Sequence, residues 1–300
     1  MTGPSRPAAA LKRPGPTLDA EAVASLEAIA RRTRRRILET VNHAGAGHVG
    51  GPLSVVEILV TLYHHELRVD PLRPAWPDRD RLVFSKGHAT PALYAVLAER
   101  GYFPVEELAT FDQLDSRLQA HPDMTALPGL DMSTGSLGQG LSAGVGMALA
   151  ARVLGAAWRT YVVMGDGESQ EGQVWEAAFV AARDALDSLV VVLDWNHLQQ
   201  YGWHDAGRPV AERVDPVIGP VVDPAARWRA SGWHAIEVDG HDVRALVAGL
   251  AEARATRGRP TVIVARTIKG RGVSFMEANY LWHSRPVTDD DLRRALEELR

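Results

Sequence analysis

Asp166 and Asn196 are the residues whose types and spacing point most directly to chemistry. Asp166 lies between Gly165 and Gly167, which expose its carboxylate and allow a ligand to approach the backbone closely. Asn196 follows 30 residues later. Carboxylate and amide oxygens are hard ligands that suit Mg²⁺ or Ca²⁺, with phosphate oxygens and water completing the coordination shell. The pair therefore indicates a metal ion that bridges a diphosphate, although a Gly-Asp-Gly sequence alone is more often only a tight turn.

The elements around this pair predict an α/β fold. Short apolar, β-branched runs alternate with helical stretches, which favours a three-layer α/β/α domain with a mainly parallel central sheet. The predicted strands cover residues 82–84, 161–164, 189–193, 235–238 and 261–265, and the predicted helices cover 20–42, 55–63, 141–154, 174–185, 243–255 and 289–299. Ligands of such sheets bind beyond the carboxyl ends of the strands. Asp166 and Asn196 each follow a predicted strand, and one right-handed crossover would bring them side by side.

The composition excludes several classes of protein. The 300 residues contain no cysteine, so disulfides, thiolate nucleophiles and zinc–thiolate sites are ruled out. A net charge of −4 gives no basic field for nucleic acid, and the sequence lacks the apolar run of ~20 residues that a membrane span needs. Residues 1–17 contain four prolines and are predicted to be a flexible tail, with one domain over residues 18–300. We expect a soluble, cytoplasmic protein.

Further motifs surround the metal pair and keep a recognisable order along the chain. They are Gly47-His48, Ser85-Lys86-Gly87-His88, the segments 135–140 and 165–172, Trp175-Glu176-Ala177, Asp239-Gly240-His241-Asp242, the segment 269–277 and Trp282-His283. On these motifs, residues 20–290 resemble transketolases, enzymes that use thiamine diphosphate. The resemblance implies the thiamine diphosphate-binding fold, and specifically the domain that binds the diphosphate.

The resemblance also implies a role for each matching residue. The implied metal ligands are Asp166, Asn196 and the backbone carbonyl of Leu198. The implied cofactor-binding residues are His88, Gly135, Leu137, Asp166, Gly167, Asn196, Gln200, Lys269 and His283. The implied catalytic residues are His48, His88, His121, His283 and Glu171. The histidines would face the substrate and Glu171 would lie at an interface between two active sites, whereas Gln200 and Lys269 match only some relatives.

The same resemblance implies a partner. Transketolases contain a second domain that holds the pyrimidine ring of the cofactor, and this sequence ends at residue 300 without it. We therefore expect the N-terminal subunit of a two-chain transketolase, active only with a separate C-terminal subunit and assembled as α2β2. The implied reaction is transfer of a two-carbon ketol unit from a ketose to an aldose acceptor, both sugars or sugar phosphates.

Two other functions remain open from the sequence. The metal motif also suits the first component of a 2-oxo acid dehydrogenase, or an enzyme that delivers a two-carbon unit to a lipoyl or carrier protein. A cofactor-binding subunit without catalytic activity is the third possibility. The histidines at 48, 88, 121 and 283 favour sugar substrates and retained catalysis.

Overall fold

The centre of the molecule is a sheet of parallel strands. A computed structural model describes residues 13–200 and 223–300. Within them a five-stranded sheet has the order β1-β2-β3-β5-β4. The strands are β1 (Arg81–Phe84), β2 (Thr160–Gly165), β3 (Leu189–Trp195), β4 (His234–Asp239) and β5 (Thr261–Arg266). All adjacent pairs are parallel, so every carboxyl end lies at the same edge of the sheet.

Helices cover both faces of this sheet. They are α1 (Ala20–Ala44), α2 (Gly50–Ser54), α3 (Val56–Thr61), α4 (Thr90–Arg100), α5 (Gln139–Leu154), α6 (Gly172–Arg183), α7 (Pro224–Ala230), α8 (Val243–Ala255) and α9 (Asp289–Glu298). Asp19 caps the first of them, α1, because its side chain accepts a hydrogen bond from the Ala22 amide at 2.8 Å.

Alternating strand residues divide the core into two layers. Tyr161 and Val163 pack on one face of β2, in a cluster that includes α1, α3, α4 and α8. Val162 and Met164 pack on the other face, against α5, α6 and α7. Each fully buried side chain of this size contributes about 1.5–3 kcal/mol through removal of apolar surface from water. The predicted three-layer α/β/α architecture is confirmed.

The region between α1 and β1 differs from the predicted single helix over residues 55–63. The chain forms α2, turns at Val55, continues as α3 and then widens into a π-helical turn at Leu62–Glu66. Glu66, at the end of this turn, is fully buried. Its carboxylate accepts a hydrogen bond from the Tyr161 hydroxyl at 2.6 Å and forms an ion pair with Arg254.

The beginning of the described chain contacts the domain. The Arg13 guanidinium pairs with the Asp80 carboxylate, with its two nitrogens 2.5 and 2.8 Å from the oxygens, and the Pro14 carbonyl accepts a hydrogen bond from Arg254. These two residues belong to the stretch that was predicted to be a tail, while residues 1–12 lie outside the described residues. Across the described ranges, the structure contains no helix with the length and apolar character of a membrane span.

Candidate active site

A cavity of 380 Å³ lies at the edge where the strands end. Its lining comes from the turns after β1, β2, β3 and β5, together with the loops before α2, α5 and α9. The structure brings into this cavity every residue that the sequence singled out for metal, cofactor or catalysis. They are His48, His88, His121, Gly135, Leu137, Asp166, Gly167, Glu171, Asn196, Leu198, Gln200, Lys269 and His283.

Asp166 and Asn196 lie side by side, as the crossover between β2 and β3 predicts. Asp166 is buried, and its Oδ2 atom accepts hydrogen bonds from the backbone amides of Asn196 at 3.0 Å and His197 at 2.8 Å. Its Oδ1 atom accepts one from the Gly167 amide at 2.7 Å. Burial, followed by the nearby Asp194 carboxylate, raises the pKa of Asp166. A divalent cation beside this carboxylate would lower the pKa of Asp166 instead, because it favours the charged form.

The donor set suits a hard cation. In the described residues no group of three or more His, Cys, Asp or Glu side chains is arranged to hold a metal ion. The candidate ligands are instead a carboxylate, an amide oxygen and a backbone carbonyl, which is the oxygen set that Mg²⁺ and Ca²⁺ prefer. The Leu198 carbonyl turns toward the same cavity and lies 3.5 Å from the Lys269 ammonium. These residues therefore fit a metal ion that carries a diphosphate.

A buried ion pair beneath Asn196 was not found from the sequence. The Asp194 carboxylate accepts hydrogen bonds from Lys86, from the Thr267 hydroxyl and, at 2.6 Å, from the Ser54 hydroxyl. The Asn196 amide nitrogen lies 3.4 Å from the same carboxylate. Because a carboxylate only accepts, it directs the amide nitrogen inward; the amide oxygen accepts from the Leu198 amide at 3.1 Å and keeps a second lone pair for a cation. The sequence offered one signal for this ion pair, because Asp194 is a charged residue at the end of an otherwise apolar strand.

Three imidazoles form a cluster in the same cavity. The ring centroids of His48, His88 and His283 are between 4.9 and 5.2 Å apart. Burial, followed by neighbouring positive charges, lowers the pKa of His48 to about 4 and that of His283 to about 3, and it lowers the pKa of His88 further. All three rings are therefore neutral near pH 7, and each carries one donor and one acceptor nitrogen; in His283 the acceptor Nδ1 faces the Lys269 ammonium, which leaves Nε2–H for a ligand.

Lys269 and His121 also line this cavity. The buried Lys269 ammonium is 2.8 Å from His283 Nδ1 and donates to the Gln199 carbonyl at 2.9 Å. His121 lies over Gly135, where a Cβ atom would be 2.6 Å from the His121 ring. Gly135 also has a φ of 139°, so the loop requires glycine at this position. The cavity thus combines carboxylate, amide and carbonyl oxygens with imidazoles and an ammonium group, and the Lys269 ammonium contacts both sets.

Comparison with known proteins shows which family this chain belongs to. A family model described as "Transketolase, thiamine diphosphate binding domain" matches residues 26–299. The chain belongs to the transketolase family. The prediction of a transketolase-type thiamine diphosphate-binding domain is therefore confirmed.

Two kinds of transketolase are similar to this chain. It is 44% identical over 266 residues to the 6-deoxy-6-sulfo-D-fructose transketolase subunit SqwG of Clostridium sp. (strain MSTE9), covering 89% of this chain and 93% of that protein. It is 40% identical over 276 residues to an apulose-4-phosphate transketolase subunit of Actinobacillus succinogenes, covering 92% and 96%. The structure of transketolase from Leishmania mexicana superposes with a TM-score of 0.82 at 31% identity, covering 92% of this chain. The chain spans 41% of that transketolase.

The mouth of the transketolase cavity is formed by exposed residues. Leu137, Glu171 and Gln200 lie at this rim, and Glu171 packs against Gly138. Behind the rim, Glu168 was not singled out by the sequence. Its buried carboxylate accepts from the Ser85 hydroxyl and from the Gly138 amide at 3.0 Å, so it joins two of the loops that line the cavity.

The neutral histidines predict an acid-sensitive transketolase domain. Because the folded-state pKa values of His48 and His283 lie below 6.5, the unfolded chain binds protons more readily. The contribution of these two neutral rings to the free energy of unfolding is complete above pH 6.5 and is lost as the pH falls toward 4. Between pH 7 and pH 5 we expect these two rings to lower the free energy of unfolding by on the order of 2 kcal/mol, allowing for solvent screening, while the raised pKa of Asp166 acts in the opposite direction. Denaturant unfolding of the cofactor-free protein at pH 7 and at pH 5 measures this difference in the free energy of unfolding.

A matched variant assigns that acid sensitivity. His48→Asn removes one titrating ring, so the difference in unfolding free energy between pH 7 and pH 5 should shrink. His43→Asn is the control, because His43 lies on α1 and does not line the cavity. An equal difference in wild type and His48→Asn would contradict the expectation.

Proposed function

We propose that this chain is the cofactor-binding subunit of a two-chain transketolase. The complex would transfer a two-carbon ketol unit from a ketose to an aldose, and a partner subunit would supply the domain that holds the pyrimidine ring. The observation that carries this proposal is the cavity itself, where Asp166 and Asn196 face three neutral histidines in a chain of the transketolase family.

The metal and cofactor would be held by the wall formed at the ends of β2 and β3. Asp166, Asn196 and the Leu198 carbonyl would bind Mg²⁺, or Ca²⁺ in its place, and the metal would bind the diphosphate. Gly167 follows Asp166 in the lining of the cavity, and its lack of a side chain would let a phosphate oxygen approach the backbone. Gly135 and Leu137 would contact the cofactor body, with Gln200 at the rim. When bound, thiamine diphosphate supplies the electron sink for cleavage of the ketose carbon–carbon bond.

The remaining proposed roles belong to this chain's own side chains. His48, His121 and His283 would donate hydrogen bonds to the hydroxyls of a sugar and exchange protons with them. His88 would lie between the diphosphate and the substrate. The low pKa values of His48 and His283 support the hydrogen-bonding role, because they keep both rings neutral near pH 7. Lys269 would hold His283 in orientation through their 2.8 Å contact.

The relatives of matching length support the proposal of a partner. Both the sulfofructose and the apulose-4-phosphate transketolase proteins are named as subunits, and the chain covers more than nine-tenths of each. The rat transketolase is 38% identical, but the chain covers only 43% of it. We propose an α2β2 assembly in the cytoplasm, with Glu171 at the interface between the two active sites. The substrates would be small sugars or sugar phosphates.

The substrate class separates this proposal from its alternatives. The chain, reconstituted with its partner, Mg²⁺ and thiamine diphosphate, should turn over a ketose phosphate such as xylulose 5-phosphate when an aldose acceptor is present. It should not decarboxylate a 2-oxo acid. The reverse pattern would support the first component of a 2-oxo acid dehydrogenase. Cofactor binding without turnover of either substrate would support the non-catalytic subunit.

A further inference from the structure

Glu57 forms a buried cluster outside the cavity that holds the proposed active site. Its carboxylate, on α3, accepts a hydrogen bond from Arg34 Nη2 at 2.7 Å, and Arg34 Nη1 lies 2.6 Å from its other oxygen. His241 Nδ1 lies 2.9 Å from Glu57 Oε2. Burial opposes ionisation of Glu57, but the charge of Arg34 and the bond with His241 outweigh it and lower the pKa of Glu57 to about 2. The cluster is therefore a fixed negative charge with two partners.

Both partners of Glu57 hold the segment that carries Lys269. His241 Nε2 accepts a hydrogen bond from the Ile268 amide at 2.8 Å. Arg34 Nε donates to the Arg271 carbonyl at 2.9 Å. Lys269 lies between these two attachment points and projects its ammonium into the cavity. Glu57 thus reaches the backbone on both sides of Lys269 without lining the cavity, as far as the described residues define that lining.

The contact with Ile268 fixes the tautomer of His241. A backbone amide can only donate, so Nε2 must carry a lone pair and the ring proton must lie on Nδ1. Nδ1–H then donates to Glu57, whose carboxylate can only accept. A carboxylate at position 57 therefore selects the one tautomer that can hold the Ile268 amide, in the way that an outer carboxylate orients a metal-binding histidine.

We propose that Glu57 is a positioning residue for Lys269: it sets the tautomer of His241 and anchors Arg34, and these two residues hold the 268–271 backbone so that the ammonium reaches His283. This inference rests on the proposed function of the cavity that Lys269 lines. The inference also gives a role to the motif of residues 239–242, because that motif contains His241.

Glu57→Leu, which removes both acceptor oxygens, tests the tautomer directly, and Glu57→Gln is the control, since it keeps the size of the side chain. In Glu57→Gln the amide oxygen can stay at the Oε2 position, where it still accepts from Arg34 Nη2 and from His241 Nδ1–H. In Glu57→Leu the Nδ1–H group has no acceptor, so position 57 no longer selects this tautomer. We expect protein labelled with ¹⁵N-histidine to show the Nδ1–H tautomer at His241 in the wild type and in Glu57→Gln, and Glu57→Leu to lose it. An Nε2–H tautomer in the wild type would overturn the proposal without needing any variant.

Cofactor affinity provides the second measurement. Glu57→Leu should weaken thiamine diphosphate binding with Mg²⁺ by about tenfold, the usual size for loss of an outer hydrogen-bond partner. Glu99→Leu is the matched control, because Glu99 also pairs with two arginines of α1, Arg32 and Arg36, at 3.2 and 2.5 Å. Its affinity should match the wild type.

The outcomes of these titrations are distinguishable. Equal affinity in Glu57→Leu and Glu99→Leu would overturn the positioning role of Glu57, even if both are less stable than the wild type. Failure of the wild-type chain to bind the cofactor would instead contradict the proposed function. The tautomer of His241 is read from protein without cofactor, so it separates a structural failure of the Glu57 cluster from a failure of the site.

Discussion

Replacing Asp166 by alanine should abolish metal-dependent binding of thiamine diphosphate. The substitution removes the only carboxylate among the proposed ligands, and it also removes the acceptor for the backbone amides of Gly167, Asn196 and His197. The loop that presents Asn196 and the Leu198 carbonyl would therefore lose its attachment to β2. Since loss of an outer-shell partner already costs 10–100-fold in metal affinity, we expect a weakening of more than about 100-fold.

Calorimetric titration of thiamine diphosphate in the presence of Mg²⁺ measures this change. Asp166→Asn should give an intermediate result, because the amide keeps the side-chain size and one acceptor oxygen but lacks the charge. Asp80→Asn is the control. Asp80 is an equally buried carboxylate that holds Arg13 and two backbone amides away from the cavity, so its loss should lower stability and leave the affinity unchanged. Unchanged affinity in Asp166→Ala would remove the metal assignment.

The sheet and the metal pair were predictable from the sequence because both depend on local patterns. The residues 161–164 and 189–193 are apolar on both sides, which is typical of strands covered by helices on both faces. A parallel sheet then places the residues after neighbouring strands at the same edge, so the positions of Asp166 and Asn196 followed from the order of the elements. Helix α4 was not indicated, because residues 92–98 are uniformly apolar and fully buried and lack an amphipathic period.

The buried polar clusters could not be predicted, because they join residues that are far apart in the chain. Lys86 and Asp194 are separated by 108 positions, and His241 and Glu57 by 184. Each residue alone is an ordinary charged side chain, and only the folded structure shows that each pair excludes water. The resemblance to transketolases drew attention to His241 through its motif, but its contact with Glu57 required the three-dimensional arrangement.

The purified chain alone should show no measurable transketolase turnover. Its described residues supply the proposed metal ligands and the imidazoles that line the cavity. In the proposed complex, the group that activates the pyrimidine ring belongs to the partner subunit. A positioned acid or base contributes about 10²–10⁴-fold to a rate, and loss of orientation adds to this factor. The combined loss should bring turnover below detection, while cofactor binding through Asp166 and Asn196 remains measurable.

The most direct test of this account is to titrate the partner subunit, taken from the neighbouring coding sequence, into the chain with Mg²⁺ and thiamine diphosphate. Ketol transfer from xylulose 5-phosphate to an aldose is followed during the titration. We expect the rate to rise from background and to reach its plateau at one partner subunit per chain, with Asp166→Ala remaining at background throughout. Full turnover by the chain before any partner is added would contradict the claim that its cavity is one half of an active site.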